Sequence, residues 1–318
     1  MELPWQRRLT LKVRNWLVVR SDGSSNLRMA SLLDRLVPAQ TKQGVAAQDV
    51  VIDDNTGVWV RVFRPVEEGS GQQRPVMFYF HGGGFCMFSA NSQFADCFGR
   101  YLSRTYGAIV VSVDYRKTPK HRYPAAYEDC EAALRWAVGK LQVGDLSRCV
   151  LVGESAGGNI VHHVACRAAF DPALEGRLKV VGNVALFPFF GGEERTEGEI
   201  ELSNAPMLNY IMADRAWYDF LPAGANRDHP AANVLAPGAP DLRSIPLGPF
   251  FVCAGDRDCL KDYQVRYAEA LRELGKEVQF KMYKGGIHCF HVFPEIKLTA
   301  QLLSDLQGFV RSRLSHES

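Results

Sequence analysis

Six short runs limit the fold more than anything else in the chain. VMFYF (76–80), AIVVSVDY (108–115), CVLVG (149–153), VVGNVALF (180–187), FFVCAGD (250–256) and VQFKMY (278–283) are rich in β-formers and almost continuously apolar. A strand with one wet face alternates; a continuous apolar run suits a strand buried on both faces, as in a parallel sheet. Parallel strands need crossovers, and helical spacing supplies them. One stretch follows Tyr123-Pro124 and carries Ala132, Leu134, Trp136 and Ala137. Another follows Ser155 with Ile160, Val161, Val164 and Ala168, and the last carries Leu302, Leu303, Leu306, Phe309 and Val310. Strands alternating with helices predict an α/β protein, with a mostly parallel central sheet flanked by helices. A core of this type can use all 318 residues, so a single domain over 1–318 is expected.

Two regions depart from that rhythm. Residues 5–37 mix basic and apolar positions, with Trp5, Leu9, Leu11, Trp16 and Leu17, then Leu32, Leu33 and Leu36. They predict short amphipathic helices around a loop at SDGSSN (21–26), too short to stand alone. The segment from Pro188 to about Pro240 is rich in Gly, Pro, Asn and aromatics, among them Phe189, Phe190, Tyr210, Trp217, Tyr218 and Phe220. It reads as a helical cap inserted over the sheet, which with residues 1–45 would roof a pocket. Between them, QDVVIDDNTGVWVRVFRP (48–65) reads as a hairpin turning at Asp54-Asn55-Thr56-Gly57, and EEGSGQQ (67–73) as a polar surface loop.

Charge and cysteine usage narrow the function. A net charge of +2, with no basic run, argues against nucleic acid as a partner. No apolar stretch approaches the ~20 residues of a membrane-spanning helix. Lys12 and Arg14 interrupt any leader-like apolar region, and the final HES matches no retention or peroxisomal tag. The eight cysteines are scattered without a CxxC pair, which fits reduced packing residues and a cytoplasmic protein, with the nucleus also compatible. Oligomeric state is not legible.

The chemistry centres on GESAGG (153–158), which follows the run CVLVG and precedes a helical stretch. That is the context of a nucleophile elbow, G-x-S-x-G, in which a tight turn exposes a serine hydroxyl, here Ser155. The helix start adds a positive field beside it. HGGGF (81–85) follows another strand; its glycines can turn backbone N–H groups toward an oxyanion. The amides of Gly83, Gly84 and Ala156 are the candidate oxyanion hole. His81 is expected to hold the loop by hydrogen bonding rather than act as a base. A serine nucleophile also needs a base and an acid to orient it, following in the order Ser, Asp or Glu, His. AGDRDCLKD (254–262) offers Asp256 and Asp258 on one strand-end loop, and GGIHCFHVF (285–293) offers His288 and His291 on the next. Spacing alone does not choose within either pair. HExxH, P-loop and G-x-G-x-x-G patterns are absent, and the adjacent His162 and His163 point in different directions on a helix. Neither a metal nor a cofactor is expected.

HGGGF, DYRKTPKHRYPAAYEDC (114–130), GESAGGNIVHHVA (153–165), FFGGEERTEGE (189–199) and AGDRDCLKDYQVRYAEAL (254–271) together resemble plant carboxylesterases. These form part of the hormone-sensitive-lipase-like branch of the α/β hydrolases, which also holds the gibberellin receptors and strigolactone-cleaving esterases. The resemblance runs from about residue 48 onward and implies an α/β-hydrolase fold with the N-terminal region in its lid. It places the family acid on Asp258, with Cys259 where proline is usual, and the family histidine on His288, followed here by Cys289-Phe290. KTPKH (117–121) stands where LAPEH is more common. The receptors look as though they lack the histidine and carry serine at the third glycine; this chain keeps His288 and Gly84. The resemblance implies a serine esterase of small-molecule carboxylic esters. It leaves open a hormone-like receptor, or a cyclase or lyase, on the same fold. Phe85, Phe189 and Tyr210 are the candidate pocket residues. Arg195 and Glu193-Glu194 are expected to form structural ion pairs.

Overall fold

A computed structural model describes residues 9–11, 13, 17–20, 22–66, 73–141 and 143–315. Trp5, Lys12, Arg14, Trp16, Ser21, the polar segment 67–72 and the terminal residues 316–318 lie outside them. In chain order the elements are α1 (Leu27–Leu33), β1 (Val45–Asp53), β2 (Val58–Pro65), β3 (Arg74–Phe80), α2 (Gln93–Tyr106) and β4 (Ile109–Asp114). They continue with α3 (Ala125–Lys140), β5 (Gly144–Glu154), α4 (Ala156–Ala168), β6 (Val180–Leu186), α5 (Glu197–Glu201) and α6 (Tyr210–Phe220). The chain closes with β7 (Phe250–Gly255), α7 (Lys261–Glu273), β8 (Val278–Tyr283) and α8 (Lys297–Leu314).

The strands form one eight-stranded sheet in the order β1-β2-β4-β3-β5-β6-β7-β8. The hairpin β1–β2 and the β2–β4 pair are antiparallel. From β4 across to β8 every pair is parallel. The apolar runs are continuous because alternate residues enter different cores. On β3, Val76, Phe78 and Phe80 pack with Ala133, Leu134, Ile160 and Val164 of α3 and α4. Met77 and Tyr79 pack on the opposite face with Ala95 and Leu102 of α2 and Leu302, Leu306 and Phe309 of α8. Helices on both faces therefore remove the need for a polar side on any central strand.

Two helices, α2 and α7, escaped the sequence reading. The inward face of α2 carries Asp96, Gly99, Arg100 and Ser103 as well as Ala95 and Leu102. Arg100 donates to Asp96 and to the Val45 carbonyl, and Arg61 bridges Asp96 and Asp49. Charged residues paired inside break the apolar period that marks a helix. Two other expectations need correction. The leucines of α1 do not pack as an amphipathic stripe, since no residue of α1 is buried and Leu32 is 77% exposed, whereas Leu11 is buried against Phe293 and Ile296. The inserted cap is only partly helical. Between residues 188 and 240 α5 and α6 are its helices, and turns make up the rest because Gly and Pro punctuate it.

Candidate active site

Ser155 stands between the last residue of β5 and the first of α4, with φ 54° and ψ −119°. A non-glycine residue in that region is strained, and the packing around it enforces the turn. A Cβ on Gly157 would run into the Phe80 carbonyl, and one on Gly153 into the Gly157 carbonyl. The Ser155 amide is itself tied to Leu186 O at 2.9 Å. The hydroxyl is thus fixed at the carboxyl end of the central strand, where open α/β sheets place their ligands.

The loop after β8 brings His288 Nε2 to 2.8 Å from Ser155 Oγ. Its Nδ1 is 2.6 Å from Asp258 Oδ2, on the loop after β7. Leu260 N–H donates to Asp258 Oδ1 at 2.9 Å, and the Gln264 side-chain amide donates to Oδ2 at 3.0 Å. Ser155, His288 and Asp258 are all buried. The alternatives within each pair go elsewhere. Asp256 accepts the Gly285 N–H at 2.6 Å. His291 stacks on Phe187, and burial pushes its pKa down to about 3. His81 lies under the loop, stacked on Tyr115, with Nδ1 2.8 Å from Gly82 O. Burial, with Lys117 nearby, lowers its pKa to about 4. His162 and His163 are packing residues, held to Tyr267 and to Ala231 O.

Gly83 has φ 109°, and Gly84 has φ 59°. At Gly83 a side chain would also meet the Met87 carbonyl, so glycine is required twice over. Among the described residues no acceptor takes the N–H of Gly83, Gly84 or Ala156. Three free amides beside a serine hydroxyl can receive negative charge on a substrate oxygen. The motif reading missed the residue that joins the two halves. Glu154, 2% exposed, accepts the Gly82 N–H at 2.6 Å and the Tyr79 hydroxyl at 3.0 Å on one oxygen. Burial outweighs those hydrogen bonds and raises its pKa to about 8. Gln264 was missed as well. Both residues sat inside quoted motifs, yet only a tertiary contact gives them a partner.

Above Ser155 is a cavity of about 300 Å³. Leu33, Met87, Phe94, Phe189, Met212 and Val292 supply apolar walls, while Arg215 and Asp219 form an ion pair on one side. Of the three pocket candidates, Phe189 lines this cavity. Phe85 does not: it is fully buried and stacks on Phe220 at 3.7 Å, because its positive φ of 60° turns the ring into the core. Tyr210 does not either, since its ring lies under the Arg195 guanidinium at 4.6 Å. Arg195 pairs with Glu199 and Asp214, Arg227 with Glu193 and Arg266 with Glu194, so these motif charges knit the insertion together. Among the described residues no cluster of side chains suits a metal ion, and no helix is long and apolar enough to cross a membrane.

A family described as the alpha/beta hydrolase fold matches residues 77–292. The chain belongs to that family. Its similarity to Gibberellin receptor GID1C of Arabidopsis thaliana is 36% identity over 314 residues, covering 93% of this chain and 90% of the receptor. Carboxylesterase 20 of the same plant is 33% identical over 281 residues, covering 84% and 86%. The hyperthermophilic esterase from the archaeon Pyrobaculum calidifontis superposes with a TM-score of 0.77 at 25% identity, over 98% of this chain and 99% of the esterase. The resemblance to plant carboxylesterases and their receptor relatives therefore stands on the whole hydrolase fold as well as on the motifs.

Proposed function

We propose that this hydrolase is a serine carboxylesterase acting on small, largely apolar esters. The observation that carries the reading is the hydrogen-bonded line from Ser155 Oγ through His288 to Asp258 at the floor of an apolar cavity. His288 Nε2 takes the Ser155 proton as Oγ bonds to the ester carbonyl carbon. The carbonyl oxygen becomes an oxyanion held by the amides of Gly83, Gly84 and Ala156. Asp258 holds the ring with Nδ1–H toward itself and stabilises the imidazolium. Collapse of the tetrahedral species breaks the bond to the alcohol, which leaves with the proton from His288. Water then attacks the acyl-serine, giving up its proton to His288, and the carboxylic acid departs with Ser155 restored. No step calls for a cofactor. All eight cysteines are free, in keeping with a reducing compartment such as the cytoplasm.

The test is hydrolysis of short-chain p-nitrophenyl esters by the protein and by Ser155→Ala. Turnover should fall by at least about 10³-fold in the variant. A folded Ser155→Ala that keeps most of the turnover would remove the mechanism.

A second reading, small-molecule perception, is favoured by the similarity to a gibberellin receptor and by Ala30 and Leu33 of α1 on the cavity wall. It predicts ligand-dependent protection of residues 22–45 from proteolysis, with little turnover.

A further inference from the structure

Glu154 precedes the nucleophile, yet the steps above give it no task. Its side chain leaves the elbow and enters the space beneath the HGGG loop. There one carboxyl oxygen collects two hydrogen bonds, from the Gly82 N–H at 2.6 Å and the Tyr79 hydroxyl at 3.0 Å. The other oxygen is buried without a partner among the described residues. Gly82 lies so close that a Cβ there would stand 2.8 Å from the Glu154 carbonyl oxygen. Elbow and loop are thus pressed together, and Glu154 is the polar side chain joining them. Tyr79 is fixed in turn on β3, fully buried, with its ring edge-on to Phe98.

The oxyanion donors come from both sides of this seam. Ala156 belongs to the elbow, two residues after Glu154, while Gly83 and Gly84 follow the Gly82 amide that Glu154 holds. Donors serve an oxyanion only when all lie about 3 Å from one point, so the seam must be fixed to a fraction of an ångström. We propose that Glu154 is the positioning residue of the oxyanion hole: it clamps the Gly82 amide so that Gly83, Gly84 and Ala156 aim at one oxygen. The inference rests on the esterase reading.

The role needs an acceptor oxygen, not a negative charge. Burial favours the protonated acid, whose carbonyl oxygen still accepts both bonds, each weaker than to a carboxylate. A glutamine has the same shape and the same acceptor. Glu154→Gln is therefore expected to keep kcat within about threefold of wild type. Glu154→Leu, which offers no acceptor, is expected to lose about 100-fold in kcat with KM within about threefold. Tyr79→Phe leaves the Gly82 bond intact and should lie between them. Affinity for an alkyl boronic acid, which adds to Ser155 and places a tetrahedral oxygen at the donors, should fall in Glu154→Leu in step with kcat/KM. Affinity for the parent alcohol, which carries no such oxygen, should not change. Should Glu154→Leu fail to fold, Glu154→Met takes its place.

Wild-type kcat in the folded Leu or Met variant overturns the clamp and leaves the esterase reading intact. So does a Gln variant that loses as much as Leu, because charge rather than position would then matter. Absence of any Ser155-dependent hydrolysis or boronate binding in the wild type overturns the esterase reading itself, and the clamp falls with it.

Discussion

Asp256 and Asp258 lie two residues apart on one loop, and what separates them is the partner each carboxylate finds. Asp258 accepts Leu260 N–H, the Gln264 amide and His288; Asp256 is committed to Gly285 N–H. Asp258→Asn keeps the shape, but its amide nitrogen can face Nδ1 and hold the wrong imidazole tautomer. We expect kcat on p-nitrophenyl butyrate to fall by about 10³–10⁴, with the fold retained. Asp256→Asn retains a carbonyl for Gly285 and should stay within about threefold. Equal losses in the two variants would show that the assignment of the acid is wrong. Gln264 adds a finer dependence. It is fully buried on α7, its amide also reaches toward Pro188 O at 3.4 Å, and its own carbonyl has no partner among the described residues. A buried polar group half satisfied is costly for stability, which makes its grip on Asp258 the reason for its presence.

At the scale of elements, the HGGG loop and α6 behave as one packed unit. Phe85 stacks face to face on Phe220, with the rings 11° from parallel, and meets Trp217 at 5.7 Å. Phe189 stacks on Trp217 at 4.6 Å, carrying the aromatic cluster to the cavity wall. The Tyr123 N–H donates to Phe220 O, which ties the cap to the start of α3. Phe85→Ala therefore empties a ring-sized space beneath the loop. The expected cost is about 3–5 kcal/mol of stability, read from urea denaturation, with kcat reduced as well because the loop loses its anchor. A loss below about 1 kcal/mol would mean that the cap can close over the hole and that loop and helix are not coupled.

For the whole molecule, buried ionisable groups set the pH at which the fold is most stable. Burial lowers the pKa of His81 and His162 from 6.5 to about 4 and of His291 to about 3, and lowers that of His163 as well. Below about pH 6.5 the unfolded chain binds protons at these rings and the folded chain does not, so stability falls as the pH drops toward 4. Glu154 has the opposite sign. Its pKa is raised from 4.5 to about 8, so between those values the folded state keeps a proton that the unfolded state has lost. Stability then declines gently as the pH rises toward 8. Four rings outweigh one carboxyl below pH 6.5, which puts the maximum close to neutral. Urea midpoints at pH 5, 6.5 and 8 should trace that curve, and Glu154→Gln should flatten its upper limb and steepen its lower one, because Glu154 acts from 4.5 to about 8. An unchanged upper limb in the variant would mean that Glu154 ionises as freely folded as unfolded.

Much of this protein is fixed by local rules that a sequence carries openly. Near-continuous apolar runs specify strands buried on two faces, and the crossovers between them specify a parallel sheet. G-x-S-x-G after such a strand specifies a turn that larger residues at Gly153 and Gly157 would block. The tertiary structure decided what depends on partners far along the chain. The helix α2 hides behind the buried Asp96–Arg100 pair, which Arg61 joins from β2 with Asp49 of β1 balancing its charge. Phe85 and Tyr210 read as pocket aromatics, but ring orientation depends on neighbours 135 and 15 residues away, Phe220 and Arg195. Glu154 is plain to see in GESAGG, and its partners lie 72 and 75 residues earlier. A motif records which chemical groups are supplied. Which of them meet is set by sheet order and packing, and no local pattern encodes that.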